Sequence, residues 1–151
     1  MIYSPGDGRI LEVCSISSDE FPERRLVRIF LSVLNGHVQR APISGKIEKV
    51  IYQKGTFLDA RHPQAHLENE RNTVTMSSGK GTVIMTQIAG LIARRIVCWI
   101  REGDFLKQGE RYGLIRFGSQ VDVLLPNDVH LLVKEGDKVV GGKTVIAKWQ
   151  S

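Results

Sequence analysis

Glu102-Gly103-Asp104-Phe105-Leu106-Lys107-Gln108-Gly109 is answered 33 positions on by Glu135-Gly136-Asp137-Lys138-Val139-Val140-Gly141-Gly142. Each copy runs into an apolar stretch, Tyr112-Gly113-Leu114-Ile115 and Thr144-Val145-Ile146-Ala147. A tight turn, a short apolar hook, a glycine and a strand, given twice, mark a repeated supersecondary unit. Outward from that pair, apolar and polar residues alternate, the pattern of strands with one buried face. Gly8–Val13, Arg25–Leu31, Gly45–Ile51, Thr73–Met76 and Gly81–Ile88 all read this way. Leu91 to Ile100 reads as strand or short helix, and the β-branched and aromatic run Ile96-Val97-Cys98-Trp99-Ile100 favours strand in its second half. Little helix is expected anywhere.

The chain has 151 residues, 42% of them hydrophobic, enough for one core and one domain over 1–151. Fifteen glycines imply many turns, and five scattered prolines give no linker. No apolar run has the length of a membrane span, and no signal peptide is visible at Met1-Ile2-Tyr3-Ser4-Pro5. A net charge of +5 favours anionic partners. The basic residues carry no nucleic-acid motif, so a membrane surface or a phosphorylated small molecule is the better match. Cys14 and Cys98 lack metal-ligand spacing and read as core thiols of a reducing compartment, with a single disulfide the alternative. Trp99 and Trp149 are expected in the core or over a sheet edge.

The repeated hook, and Ala41-Pro42-Ile43-Ser44-Gly45-Lys46-Ile47, resemble the lipoyl and biotinyl carrier domains, which are small barrel-sandwich hybrids. The resemblance implies a mostly β fold of linked units of that kind. Carrier function itself needs a modifiable lysine at a hairpin tip, and none is present, so the likeness concerns architecture.

Three turns carry reactive side chains: Ser4-Pro5-Gly6-Asp7-Gly8, Leu34-Asn35-Gly36-His37, and Gly118-Ser119. Together they offer an acid, a base and a hydroxyl, the set that activates a serine. Singly, each has a plainer reading as a turn aspartate, a structural histidine and a turn serine. His62 and His66 have the spacing of helical metal ligands, but Pro63 between them favours a polar loop, and no metal site is expected.

These segments jointly resemble the phosphatidylserine decarboxylase family. The carriers of the likeness are Ser4-Pro5-Gly6-Asp7-Gly8, then Leu34-Asn35-Gly36-His37-Val38-Gln39-Arg40-Ala41-Pro42, then Glu68-Asn69-Glu70-Arg71. Ile88-Ala89-Gly90-Leu91-Ile92-Ala93-Arg94-Arg95-Ile96-Val97 and the run from Arg111 to Ser119 complete it in family order. Gln120 stands where shorter members carry a basic residue, and the family's apolar N-terminal segment has no counterpart here.

The resemblance implies a self-processing enzyme that converts phosphatidylserine to phosphatidylethanolamine. His37, oriented by Asp7, would deprotonate Ser119, which attacks the Gly118 carbonyl; the chain parts into 1–118 and 119–151. Residue 119 is left as a pyruvoyl group, the cofactor, whose keto carbon condenses with the substrate amine. His37 is also assigned the proton returned to the product. Arg40, Arg94 and Arg95 are expected to bind the substrate phosphate. The two chains should stay associated, a homodimer being compatible, with peripheral contact at the cytoplasmic face of an anionic membrane. The rival readings are a pyruvoyl decarboxylase of archaetidylserine or a soluble amino acid, and a non-catalytic carrier-like module.

Overall fold

The computed structural model describes residues 1–18, 21–31, 38–55, 69–90, 95–115 and 119–150. They form fourteen strands and, among the described residues, no helix. The strands are β1 (Ile2–Tyr3), β2 (Gly8–Ser18), β3 (Phe21–Leu31), β4 (Val38–Arg40), β5 (Gly45–Gln53), β6 (Arg71–Ser78) and β7 (Gly81–Ile88). There follow β8 (Ile96–Cys98), β9 (Phe105–Leu106), β10 (Arg111–Ile115), β11 (Ser119–Pro126), β12 (His130–Leu131), β13 (Lys138–Val139) and β14 (Val145–Lys148). Every strand expected from alternation is present, most of them longer than the apolar pattern alone suggested. The segment from Leu91 resolves as strand at Ile96–Cys98, while 91–94 lie outside the described residues.

An eight-stranded antiparallel sheet in the order β13-β2-β3-β11-β7-β6-β5-β9 carries the core on one face. Its register explains the alternation. Val13, Val27, Val123, Met85, Val74 and Val50 are partners across six successive strands, an unbroken apolar row. One residue along, Glu12, Arg28, Asp122, Thr86 and Thr73 form a polar row on the opposite face. Slipping any of these strands by one residue would trade the two rows, so the pattern fixes the register.

Two three-stranded sheets, β1-β14-β12 and β4-β10-β8, complete the fold. They are copies of each other, and the equivalence extends to the large sheet among the described residues. Tyr3 N donates to Pro42 O at 3.0 Å, and reciprocally Arg40 N donates to Pro5 O at 2.8 Å. Gly109 N reaches Ala41 O at 2.9 Å as Gly142 N reaches Ser4 O at 2.8 Å. In the hooks, Gly103 N donates to Ile47 O and Gly136 N to Ile10 O, at 2.8 and 2.9 Å. Both glycines take positive φ, 94° and 88°, a turn geometry costly for any side chain. β2 and β5 even bulge at equivalent places, Ile10/Glu12 and Ile47/Lys49. The pseudo-twofold axis passes between Val123 and Met85. The hook repeat read from the sequence is therefore the visible part of a chain built as two equivalent halves.

Trp149 packs against the core, but Trp99 is 53% exposed, contrary to expectation. It follows the short edge strand β8, with its backbone N–H bound to Tyr112 O at 2.9 Å. Both cysteines are free and half-buried, so no disulfide forms. Burial first, then Glu12, pushes the Cys14 thiol above its ordinary value. Among the described residues no helix is long and apolar enough to cross a membrane.

Tyr112 is fully buried where the other half has Ile146, and its hydroxyl finds no partner among the described residues. Burial pushes that phenol far up. Tyr112→Phe should leave stability unchanged or raise it by up to about 1 kcal/mol, read from urea unfolding. A loss larger than that would show the hydroxyl to be bonded.

Candidate active site

Asp7 closes the bend that leads into β2. The bend is held on itself by Ser4, whose buried hydroxyl donates to Gly6 O at 2.8 Å. Asp7 Oδ1 accepts from Gly141 N at 2.6 Å, tying the bend to the second hook. Its other oxygen has no partner among the described residues. In the equivalent half Ser44 does the tying, its Oγ accepting from Gln108 N at 2.8 Å. A hydroxyl suffices for this anchor, so the fold does not demand a carboxylate at residue 7.

Ser119 opens β11 and is fully buried. It pairs with Leu31 on β3, and β11 is bonded to β7 on its other side. Arg9, Phe30 and Gln120 stand abreast on β2, β3 and β11, which puts Gly8, Leu31 and Ser119 abreast one residue further. With strands about 4.8 Å apart, Asp7 and Ser119 lie about 10 Å from each other along the backbone, two strands apart. That span suits one imidazole between a carboxylate and a hydroxyl.

His37, Gly118, Arg94, His62 and His66 lie outside the described residues. The flanks of His37 and Gly118 converge nonetheless: Leu31 pairs with Ser119, and Val38 pairs with Leu114 just before the chain reaches residue 116. The internal symmetry adds a second guide. Ser78 and Gly81, joined by a tight turn, pair as Leu31 and Ser119 do, so they are their equivalents. In that half the turn borders a cleft of about 590 Å³ that also includes Tyr3, Ser44 and Gln108. The corresponding cleft of the first half, about 400 Å³, is lined by Asp7, Arg40, Gly141 and Lys143. By that symmetry Ser119 corresponds to Gly81, the residue that follows the turn bordering the second cleft.

Arg40 lines this cleft, whereas Arg95 is exposed beside β8. Arg40 faces Arg111 and Arg95 precedes Ile96, which faces Ile115. The two ends of β10 are about 14 Å apart, and the backbones of the two arginines are separated to match.

Several buried polar groups escaped the sequence reading. Gln87 Nε2 donates to Gln39 Oε1 at 2.9 Å and to Val97 O at 3.2 Å, while Gln87 Oε1 accepts from Asn72 at 3.1 Å. Gln39 takes the place of Ile2, and Gly113 that of Ala147; a Cβ on Gly113 would meet Gln87 Nε2 at 2.6 Å. The signal was available: Val83, Met85 and Gln87 share one phase of the alternation, which puts Gln87 on the core face.

On the other face Gln120 Nε2 donates to Asp122 Oδ1 at 2.5 Å, and Asp122 bonds Arg28 at 3.3 Å. Arg28 also pairs with Glu12 at 2.5 Å. Burial works against the Arg28 charge, but Asp122 and Glu12 outweigh it and hold the guanidinium above its ordinary value. Burial pulls nearby Arg71 down, with Arg28 adding to the effect and Asp122 opposing it.

Comparison with known proteins gives a consistent picture. The family model described as phosphatidylserine decarboxylase matches residues 1–147. A phosphatidylserine decarboxylase proenzyme of Syntrophus aciditrophicus is 45% identical over 151 residues, covering 95% of this chain and 69% of the relative. One of Geotalea uraniireducens is 44% identical, covering 96% of this chain and 69% of the relative. One from the Wolbachia of Brugia malayi is 46% identical, covering 97% and 67%.

The two roles of Asp7 should separate by substitution. Asp7→Ser keeps an oxygen for Gly141 N and should hold unfolding free energy within about 0.5 kcal/mol, whereas Asp7→Ala should cost about 1–2 kcal/mol. Equal losses in urea unfolding would mean that the carboxylate itself is structural.

Proposed function

This chain belongs to the phosphatidylserine decarboxylase family, and on that premise we propose that Asp7, His37 and Ser119 act together at one cleft, first to cut the chain and then to serve the reaction. The function follows from membership: the protein is made as a proenzyme and converts phosphatidylserine to phosphatidylethanolamine and carbon dioxide. The observation that supports the mechanism is that Asp7 lines a cleft two strands from Ser119, where the other half has Ser44 and Gly81.

In this mechanism His37 takes the proton of Ser119, and Asp7 orients the imidazole with its free oxygen. Ser119 Oγ attacks the Gly118 carbonyl, and the acyl group moves from the nitrogen of residue 119 to its oxygen. Loss of the Cα proton then breaks the Cβ–Oγ bond and frees Gly118 as a carboxylate. The resulting enamine tautomerises to an imine, and water replaces its nitrogen, releasing ammonia and leaving a pyruvoyl group. Residue 119 suits such a group, being fully buried at the head of a strand bonded on both sides. The keto carbon supplies an electron sink for the pair released when carbon dioxide leaves. His37 returns a proton to the carbon that lost it.

The cut chains stay together in this reading because 119–151 is woven into the rest. β11 lies between β3 and β7, β13 lies against β2, and β14 lies between β1 and β12. The +5 charge supports peripheral attachment at the anionic cytoplasmic face of the cell membrane.

Mass spectrometry of purified protein should give two chains, 1–118 and 119–151, the smaller without a free α-amino group. Ser119→Ala should remain one inactive chain. Asp7→Ser should fold but stay uncut, with cleavage slowed at least about 100-fold. An intact wild-type chain after prolonged incubation would sink the mechanism and favour a carrier-like module.

A further inference from the structure

We propose that Arg40 and Lys143 form the anion subsite of the cleft and bind the phosphodiester of the substrate headgroup; the assignment rests on the reading just given. The internal symmetry supplies the argument. The two clefts share backbone, hydrogen bonds and turn geometry, so their differences are not requirements of the fold. Where the first has Asp7 and Arg40, the second has Ser44 and Tyr3. Lys143 is one residue more in the first cleft: Glu110 matches Thr144, since Ala41 N donates to Glu110 O and Ser4 N to Thr144 O, both at 2.8 Å. The first cleft thus carries two cations, Arg40 and Lys143, where the matched frame has a tyrosine and no residue, while the lining cation of the second, Lys80, comes from the β6–β7 turn.

Arg40 is held rather than loose. Its Nη1 donates to Gly109 O at 2.9 Å, and its remaining N–H groups have no partner among the described residues. Its stem passes over Gly142, where a Cβ would stand 3.0 Å from Arg40 Cδ. Gly142 also takes φ +74°, so the residue under the stem is doubly constrained to glycine. A half-buried guanidinium fixed at one nitrogen presents the others as a fork, the arrangement that takes two oxygens of a phosphate. Lys143, adjacent to Gly142 and exposed, adds a second point charge at the same wall and has no carboxylate partner among the described residues.

The position fits the chemistry. In a phosphoserine lipid the phosphate is joined through one oxygen and one methylene to the carbon that loses its carboxylate. An anion site sharing a cleft with Asp7 can therefore fix the phosphate while the serine reaches residue 119. The residue at the fold-equivalent place, Tyr3, has no charge to offer, so the second cleft, though Lys80 lines it, lacks the guanidinium fork.

The test is titration of the self-processed protein with glycerophosphoglycerol, a phosphodiester with no amine to condense with a keto group, beside inorganic phosphate. Wild type should bind the diester, and Arg40→Tyr should weaken it at least about tenfold, with Lys143→Glu alone doing the same. Arg40→Tyr places the residue the fold already accepts at the equivalent position, and Lys143 is exposed, so folding is protected. Both should still be cut into two chains, and kcat/KM on phosphatidylserine vesicles should fall chiefly through KM. Binding unchanged in both variants, or none in wild type, overturns the subsite even if cleavage proceeds. Inorganic phosphate binding tenfold tighter than the diester overturns the headgroup as its ligand. Absence of self-cleavage with diester binding intact would count against the proposed mechanism and leave the subsite supported.

Discussion

Strand β11 begins at Ser119 and is paired with β3 from that residue, through Leu31, and with β7 from the next, through the Gln120–Ile88 pair. Everything else about the site depends on that clamp. A strand end is ordinarily the part of a sheet that frays, and an end created by cutting the chain would fray more. In the proposed mechanism the bond to be cut lies just ahead of β11, one of the two central strands of the eight-stranded sheet. The ladder holds residue 119 without help from residue 118. The Gln120–Asp122–Arg28–Glu12 chain fastens the outer face of the same end. Gln120, though not basic, supplies Asp122 with a donor.

The two equivalent halves act as an internal control. A residue pair that agrees between halves, such as Gly109 and Gly142, or Val13 and Val50, answers to the backbone or the core. A pair that disagrees needs another reason. Gly81 for Ser119, Ser44 for Asp7, Tyr3 for Arg40 and Ile2 for Gln39 all disagree, and all four departures gather in the first half's cleft or in the wall behind it. The Asn72–Gln87–Gln39 relay is the costliest of them. Gln39 and Gln87 take the places of Ile2 and Leu125, and with Asn72 they bond to one another. Such a relay rigidifies the contact between the large sheet and β4, the strand that follows His37.

Much of this was legible from the sequence. The period-two alternation gave the strands, because burying one face leaves a record in every second residue. The hook repeat showed because Glu-Gly-Asp needs particular residues: glycine for positive φ, and Asp104 or Asp137 to accept from the N–H three residues back. The remaining repeat, Ser4–Ile10 against Ala41–Ile47, was hidden. Extended strands need only an apolar phase, so Pro, Gly and Ile are all that survive in common. Trp99 was misjudged since aromatic content signals a strand but not what covers it. Arg40 and Arg95 looked alike because distance across a sheet is set by register, which composition does not carry.

The same reasoning separates what Asp7 does for the fold from what it does for chemistry. Its Oδ1 bond to Gly141 N seats the second hook, and the hook carries Gly142 beneath Arg40. In the proposed mechanism one carboxylate thereby couples two functions, aligning a base with one oxygen and the cleft wall with the other. A serine at this position would preserve the wall alone, as Ser44 does in the sister cleft. On that reading charge, rather than backbone, distinguishes the two equivalent frames.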